Sequence, residues 1–362
     1  MKVGRSLLDL AKEIERQKET KLDLLAAPQQ MEMGVAGDPL TGIKPTVNVA
    51  FQGRSGSFGV TDHAHDQIAS GVEIPRAYYR RMLEEAPELL ARNVNEWFGR
   101  DTKPRLMRTM DGNVRAMLSQ QYRPLDNESL IEFLGPVFEK HGAGLQVMSS
   151  EITERRLYLK VAYPAVQGEI AKGDVVQSGF VVANSEVGSG SLSVFPWILR
   201  LVCLNGMKVE SAGQRRNHVG RRQEIEAGQV IEYKQDTQRM SDRAIMLRVR
   251  DTVEACLEPR SFDRLLGEFR TAAGAPEIER PEKAIKVLSR SLSLNEAEQN
   301  SVLQHLIKGG DLTAWGAANA ITRAAEDSPS YDRATELEAL GYGVIELTKG
   351  EGAAWEVIAK AA

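Results

Sequence analysis

Cysteine is scarce in this chain of 362 residues: Cys203 and Cys256 are its only two. No disulfide framework and no CxxC pair can be built from them. Both sit in apolar contexts, Leu-Val-Cys-Leu and Glu-Ala-Cys-Leu, where buried free thiols are expected. Long hydrophobic runs are missing too. The longest candidate, Val194 to Met207, is interrupted by Pro196, Arg200 and Asn205, well short of a bilayer span. The opening Met1-Lys2-Val3-Gly4-Arg5 lacks the apolar stretch of a signal peptide. These absences lead us to expect a cytoplasmic protein without a membrane partner.

Chemistry-bearing motifs are equally sparse. No Gly-Lys-Ser/Thr follows Ser189-Gly190, and GxSxG, HExxH and GxGxxG do not occur. No catalytic residue and no cofactor is therefore expected. Asp62-His63-Ala64-His65-Asp66 invites a metal reading, but two helical residues two apart point about 200° from each other. The other histidines, His141, His218 and His305, supply no second ligand-rich segment, so no metal is expected. Asp126, Glu128 and Glu151 could hold a divalent ion for a nuclease, but helix capping and turns explain them more simply.

Composition is that of a globular protein, 42% hydrophobic and 27% charged, with formal net charge −4. A partner of opposite charge would need locally concentrated cations. The pattern opens with a helix from Ser6 to Ala27, followed by loops and short strands from Gly34 to Gly59. Helices are expected from Thr61 to Ala69, from Pro75, and again from Pro87 to Phe98. From Arg105 the period becomes that of strands. Asp111-Gly112 marks a hairpin, a helix covers Glu128 to His141, and four more strands end near Leu204. The order ββαββββ indicates an α+β fold with a mostly antiparallel sheet. After Glu224 the pattern is helical, with Glu232 to Cys256 the longest element. Three regions result: an N-terminal helix and irregular arm (1–60), an α+β core with a basic hairpin (61–225), and a helical C-terminal region (226–362).

Two basic clusters stand out. Residues 100–123 hold Arg100, Lys103, Arg105, Arg108, Arg115 and Arg123 against Asp101 and Asp111, six positive minus two negative, or +4. Arg108 and Arg115 lie on the two arms of the hairpin and are expected to share a face, forming a ribbon that could track phosphates. The plainer alternative is a solvated edge hairpin. The second cluster, residues 214–222, holds Arg215, Arg216, Arg221 and Arg222 and no acid. Gly213 and Gly220 imply a mobile loop suited to phosphate contact, or a solvated connector.

Several segments together resemble a known family. They are Ile74-Pro75-Arg76-Ala77-Tyr78-Tyr79 with Pro87 to Trp97, then Val114-Arg115-Ala116-Met117-Leu118-Ser119 and Tyr122-Arg123-Pro124-Leu125-Asp126-Asn127. Ala183-Asn184-Ser185-Glu186-Val187-Gly188, Arg200 to Gly206 and Trp315 to Thr322 complete the set. This order of motifs, over roughly residues 60–340, is similar to the phage/plasmid-like proteins grouped as domain of unknown function 932. That resemblance implies a phage or plasmid context and supplies no catalytic residues. By analogy of fold alone, it suggests a single-strand annealing protein that binds single-stranded DNA as a homo-oligomer and promotes recombination without nucleotide hydrolysis. The expected contact residues are Lys103, Arg105, Arg108, Arg115, Arg123, Arg200, Arg215, Arg216, Arg221 and Arg222. A metal-dependent nuclease and a regulator that binds a host protein are the alternatives.

Overall fold

The computed structural model describes residues 2–38, 42–51, 54–216, 222–225, 229–232, 235–350 and 354–360. Helix α1 (Leu7–Thr20) starts at Ser6, whose hydroxyl accepts from the Asp9 N–H at 3.1 Å. It stops at Thr20, seven residues earlier than the helical pattern suggests, because β1 (Leu22–Ala26) follows at once. The segment expected as loops and short strands instead forms β2 (Met31–Asp38), β3 (Gly42–Phe51) and β4 (Arg54–Val60). Its glycines and serines weaken the strand signal that long-range pairing restores.

Three helices follow, α2 (Asp62–Gly71), α3 (Arg76–Glu85) and α4 (Pro87–Phe98). Thr61 caps α2, and Pro87 sits in the first turn of α4, where its missing N–H costs nothing. The hairpin is β5 (Arg105–Met110) and β6 (Asn113–Ser119). Its central residues Asp111 and Gly112 have φ of 50° and 71°, the left-handed pair of a type I′ turn. This hairpin does not belong to the later strands. It completes a first six-stranded sheet, ordered β1-β5-β6-β4-β3-β2, in which only β4 and β6 run parallel. Helices α2, α3 and α4 cover one face of it through Ile68, Met82, Leu90 and Val94.

The second sheet is built from β7 (Gln146–Ile152), β8 (Leu157–Glu169), β9 (Val175–Asn184), β10 (Leu192–Arg200) and β11 (Asn205–Lys208) after α5 (Asn127–His141). Its order is β11-β10-β9-β8-β7, antiparallel throughout, and β12 (Gln214–Arg216) pairs with the start of β10. Six consecutive residues of β8, Leu157 to Ala162, are buried. Successive strand residues point to opposite faces, so this sheet is covered on both. On one face Leu157, Leu159 and Val161 meet α1, α5 and α6 (Gln235–Cys256). A small two-stranded ribbon, β13 (Arg222–Ile225) with β14 (Gln229–Glu232), precedes α6.

The C-terminal helices α7 (Pro259–Ala273), α8 (Pro281–Ser291), α9 (Glu296–Gly309), α10 (Ala314–Asp327), α11 (Tyr331–Glu346) and α12 (Ala354–Ala359) form a cluster with Val176, Ile198 and Met207 of the sheet, and α11 reaches its other face, where Tyr331 meets Tyr158 and Ala183. The fold is α+β, with antiparallel sheets, an N-terminal helix and a helical C-terminal region. Among the described residues no helix is long and apolar enough to cross a membrane.

Candidate nucleic-acid interface

The hairpin's arginines share a face, but that face looks inward. The β5–β6 register shifts between Arg108 and Thr109, from Arg108↔Ala116 to Thr109↔Val114. Arg115 is thus the extra residue of a β-bulge, a feature that re-aims a side chain. Arg108 keeps 2% of its surface and Arg115 5%. Arg108 donates to Asp23 at 2.9 Å, to Asp126 at 2.8 Å and to the Glu186 carbonyl at 2.9 Å. Arg115 Nη1 donates to Glu186 Oε2 at 2.6 Å. The second oxygen of Glu186 accepts from Lys21 Nζ at 2.6 Å and from the Asn127 N–H at 2.7 Å. Burial alone would raise the Glu186 pKa. Arg115, Lys21 and the Asn127 amide outweigh it and hold the carboxyl well below the usual range. The expected solvent-facing ribbon of Arg108 and Arg115 is therefore corrected. Both are bound to acids far away in sequence, and the pair joins the first sheet to the β9–β10 connection.

The other expected contact residues are scattered. Arg123 is paired with Asp242 of α6. Arg200 donates to Asp174 through Nε at 2.6 Å and Nη2 at 2.9 Å, and lies 5.6 Å from the Trp315 ring centre. Arg215 and Arg216 occupy β12 at register positions opposite Ser193 and Leu192, so part of the expected loop is strand. Arg222 stands opposite Glu232 in the small ribbon, and Arg221 lies outside the described residues. His63 and His65 reach different partners, the Val187 carbonyl at 3.0 Å and the Tyr79 hydroxyl at 2.9 Å.

Lys103 and Arg105 do converge on a site. They border a cleft of about 760 Å³ between the ends of α2 and α4 and the loop leading into β5. Two aromatic side chains line it with much of their surface open, Tyr78 at 49% and Trp97 at 46%. Helix geometry explains the first: consecutive residues point about 100° apart, so burying Tyr79 completely turns Tyr78 outward. The Arg100 guanidinium lies 5.0 Å from the Trp97 ring centre, a cation–π arrangement. Arg105 is held by Asp101 at 2.9 Å, Arg100 by Glu96 at 2.5 Å, and Lys103 is exposed. The periodicity of the chain marks Tyr78 and Trp97 as members of apolar helix faces. Only the doubled Tyr78-Tyr79, of which one helix face can bury a single ring, hints at the exposed one.

A family model described as "Domain of unknown function (DUF932)" matches residues 115–329, more than half of the chain. No curated protein and no solved structure matches it. The match begins inside β6 and takes in Glu186, Arg200 and the α10 motif, while the aromatic cleft lies almost wholly before it.

Proposed function

The chain belongs to the family of domain of unknown function 932, and on that premise we propose that it binds single-stranded nucleic acid through the Tyr78–Trp97 cleft. The observation that carries this reading is the pairing of two open aromatic rings with Arg100, Lys103 and Arg105 in one groove. Single strands are held in this manner: bases stack on aromatic faces while cations follow the phosphates. The biological role that follows is strand annealing or recombination in a phage or plasmid context, by an oligomer and without nucleotide hydrolysis.

Intrinsic fluorescence tests it directly. Of the four tryptophans, Trp197, Trp315 and Trp355 are buried to 2% exposure or less and Trp97 is open. A single-stranded oligonucleotide should quench the Trp97 emission saturably, in step with its own anisotropy rise. Absence of both signals at low salt would remove nucleic acid as the partner and leave host-protein binding. Cleavage of the oligonucleotide on adding Mg²⁺ would favour a nuclease.

A further inference from the structure

Away from that cleft, a second pocket of about 200 Å³ opens between the β10–β11 hairpin and helices α9 and α10. Arg200 and Cys203 line it from the hairpin, His305 and Lys308 from α9, and Asn319 and Arg323 from α10. Three permanent cations face one lining carboxylate, that of Asp311. This carboxylate is already committed, accepting from the Thr313 N–H at 3.0 Å and the Thr313 hydroxyl at 2.6 Å. Arg200 is neutralised by Asp174, and His305 lies 2.9 Å from Asp327, which also accepts from Ser301. Asp327 is close enough to feel Arg323, but makes no ion pair with it. Lys308 and Arg323 have no carboxylate partner among the described residues. The Nε of Arg323 is buried and without any hydrogen-bond partner.

A buried donor left without an acceptor is costly. Among the described residues Arg323 Nε has none, and the same guanidinium lines the pocket, where an anion can match its charge. The volume falls below the roughly 300 Å³ at which drug-sized ligands begin to fit, which restricts the occupant to a small group. The unmatched charge is positive, and a guanidinium beside an ammonium suits a compact oxyanion. We infer that this pocket binds a phosphate group carrying two negative charges, with Arg323 and Lys308 as its principal donors and Arg200 adding positive field. Inorganic phosphate and the terminal phosphate of a nucleic-acid strand share this chemistry.

Cys203 supplies the readout. It lines the pocket half-buried, with Sγ 4.0 Å from Arg200 Nη1. The only other cysteine, Cys256, is buried, and burial pushes its thiol up to about 12, so a thiol reagent reports on Cys203 alone. The rate of Cys203 modification on the full chain should fall saturably as inorganic phosphate is added, and not with chloride at equal ionic strength. Arg323→Gln, and separately Lys308→Ala on the exposed end of α9, should each raise the half-protecting phosphate concentration by about tenfold or more. Lys308→Ala touches no buried group, so its result stands even if Arg323→Gln unfolds. A 5′-phosphorylated oligonucleotide that protects where inorganic phosphate and the 5′-hydroxyl oligonucleotide do not would identify the strand end as the source. Equal protection by both oligonucleotides with none by phosphate would overturn the proposal, as would no protection by any of the three.

Discussion

Lys160 Nζ, in the middle of β8, lies 2.8 Å from Glu338 Oε1 on α11, and neither side chain has any exposed surface. Trp197 Nε1 donates to the other carboxylate oxygen at 3.2 Å, and the Lys160 ammonium sits 4.7 Å from the Tyr331 ring centre. Burial lowers the Lys160 pKa while Glu338 opposes that shift. The pair fastens the C-terminal helices to the second sheet. Glu338→Ala should destabilise the protein by about 3–5 kcal/mol, since it strands a buried charge. Lys160→Met combined with Glu338→Leu should recover most of that loss. Urea denaturation of the two variants checks the contrast.

The Glu186 cluster behaves in the same manner. Glu186→Gln should cost about 3–5 kcal/mol of stability by leaving Arg115 and Lys21 short of their shared acceptor. Its affinity for oligonucleotide, measured where the variant remains folded, should match the wild type. A selective loss of binding at full stability would return Arg115 to the interface.

Trp97→Ala and Tyr78→Ala should each weaken single-strand binding by about 1–3 kcal/mol per stacked base. Both rings are nearly half open, so the melting temperature should move little. Anisotropy titrations beside thermal melts separate the two effects.

Salt dependence distinguishes phosphate contacts from stacking. Each phosphate contact adds about −0.7 to the log–log slope for a single strand. Lys103→Ala should flatten the slope by about 0.7, and alanine at Arg215, Arg216, Arg221 and Arg222 together by up to about 2.8. Trp97→Ala should lower the line without changing its slope. Titrations from low to high salt give all three.

His65 makes stability pH-dependent. Burial, and then the nearby Arg80 charge, lower its pKa from 6.5 to about 4. The unfolded chain therefore takes up the proton first as pH falls. Stability is full above pH 6.5, declines through the window from 6.5 to about 4 and levels off below it, a loss of about 3 kcal/mol. His65→Gln should flatten that window in a series of melts at fixed ionic strength.

Much of the fold was readable because its signals are local. Ser6 and Thr61 announce helix starts within three residues of the N–H they cap, and Asp111-Gly112 carries its own turn geometry. The site was read less well because charge in a sequence says nothing of its counterion. Arg108 and Arg115 look like an exposed ribbon until Glu186, more than seventy residues on, is brought against both. The strands at 31–60 were hidden for a different reason: their glycines and serines blur the alternation that their pairing with one another reveals. The open ring of Tyr78 was hidden by the buried one beside it.

The order of strands in the first sheet also sets a timetable. Leu22 of β1 pairs with Thr109 of β5, 87 residues later in synthesis. At about 5–20 residues per second, the ribosome needs roughly 4 to 17 s to make that stretch. Throughout it β1 has no partner strand, and β4 waits with one edge open for β6. The β2–β3–β4 meander can close by itself in the meantime, since each of its strands neighbours the next. A nascent chain stalled before residue 105 would therefore expose two unpaired edges at once, the condition under which strands recruit other chains.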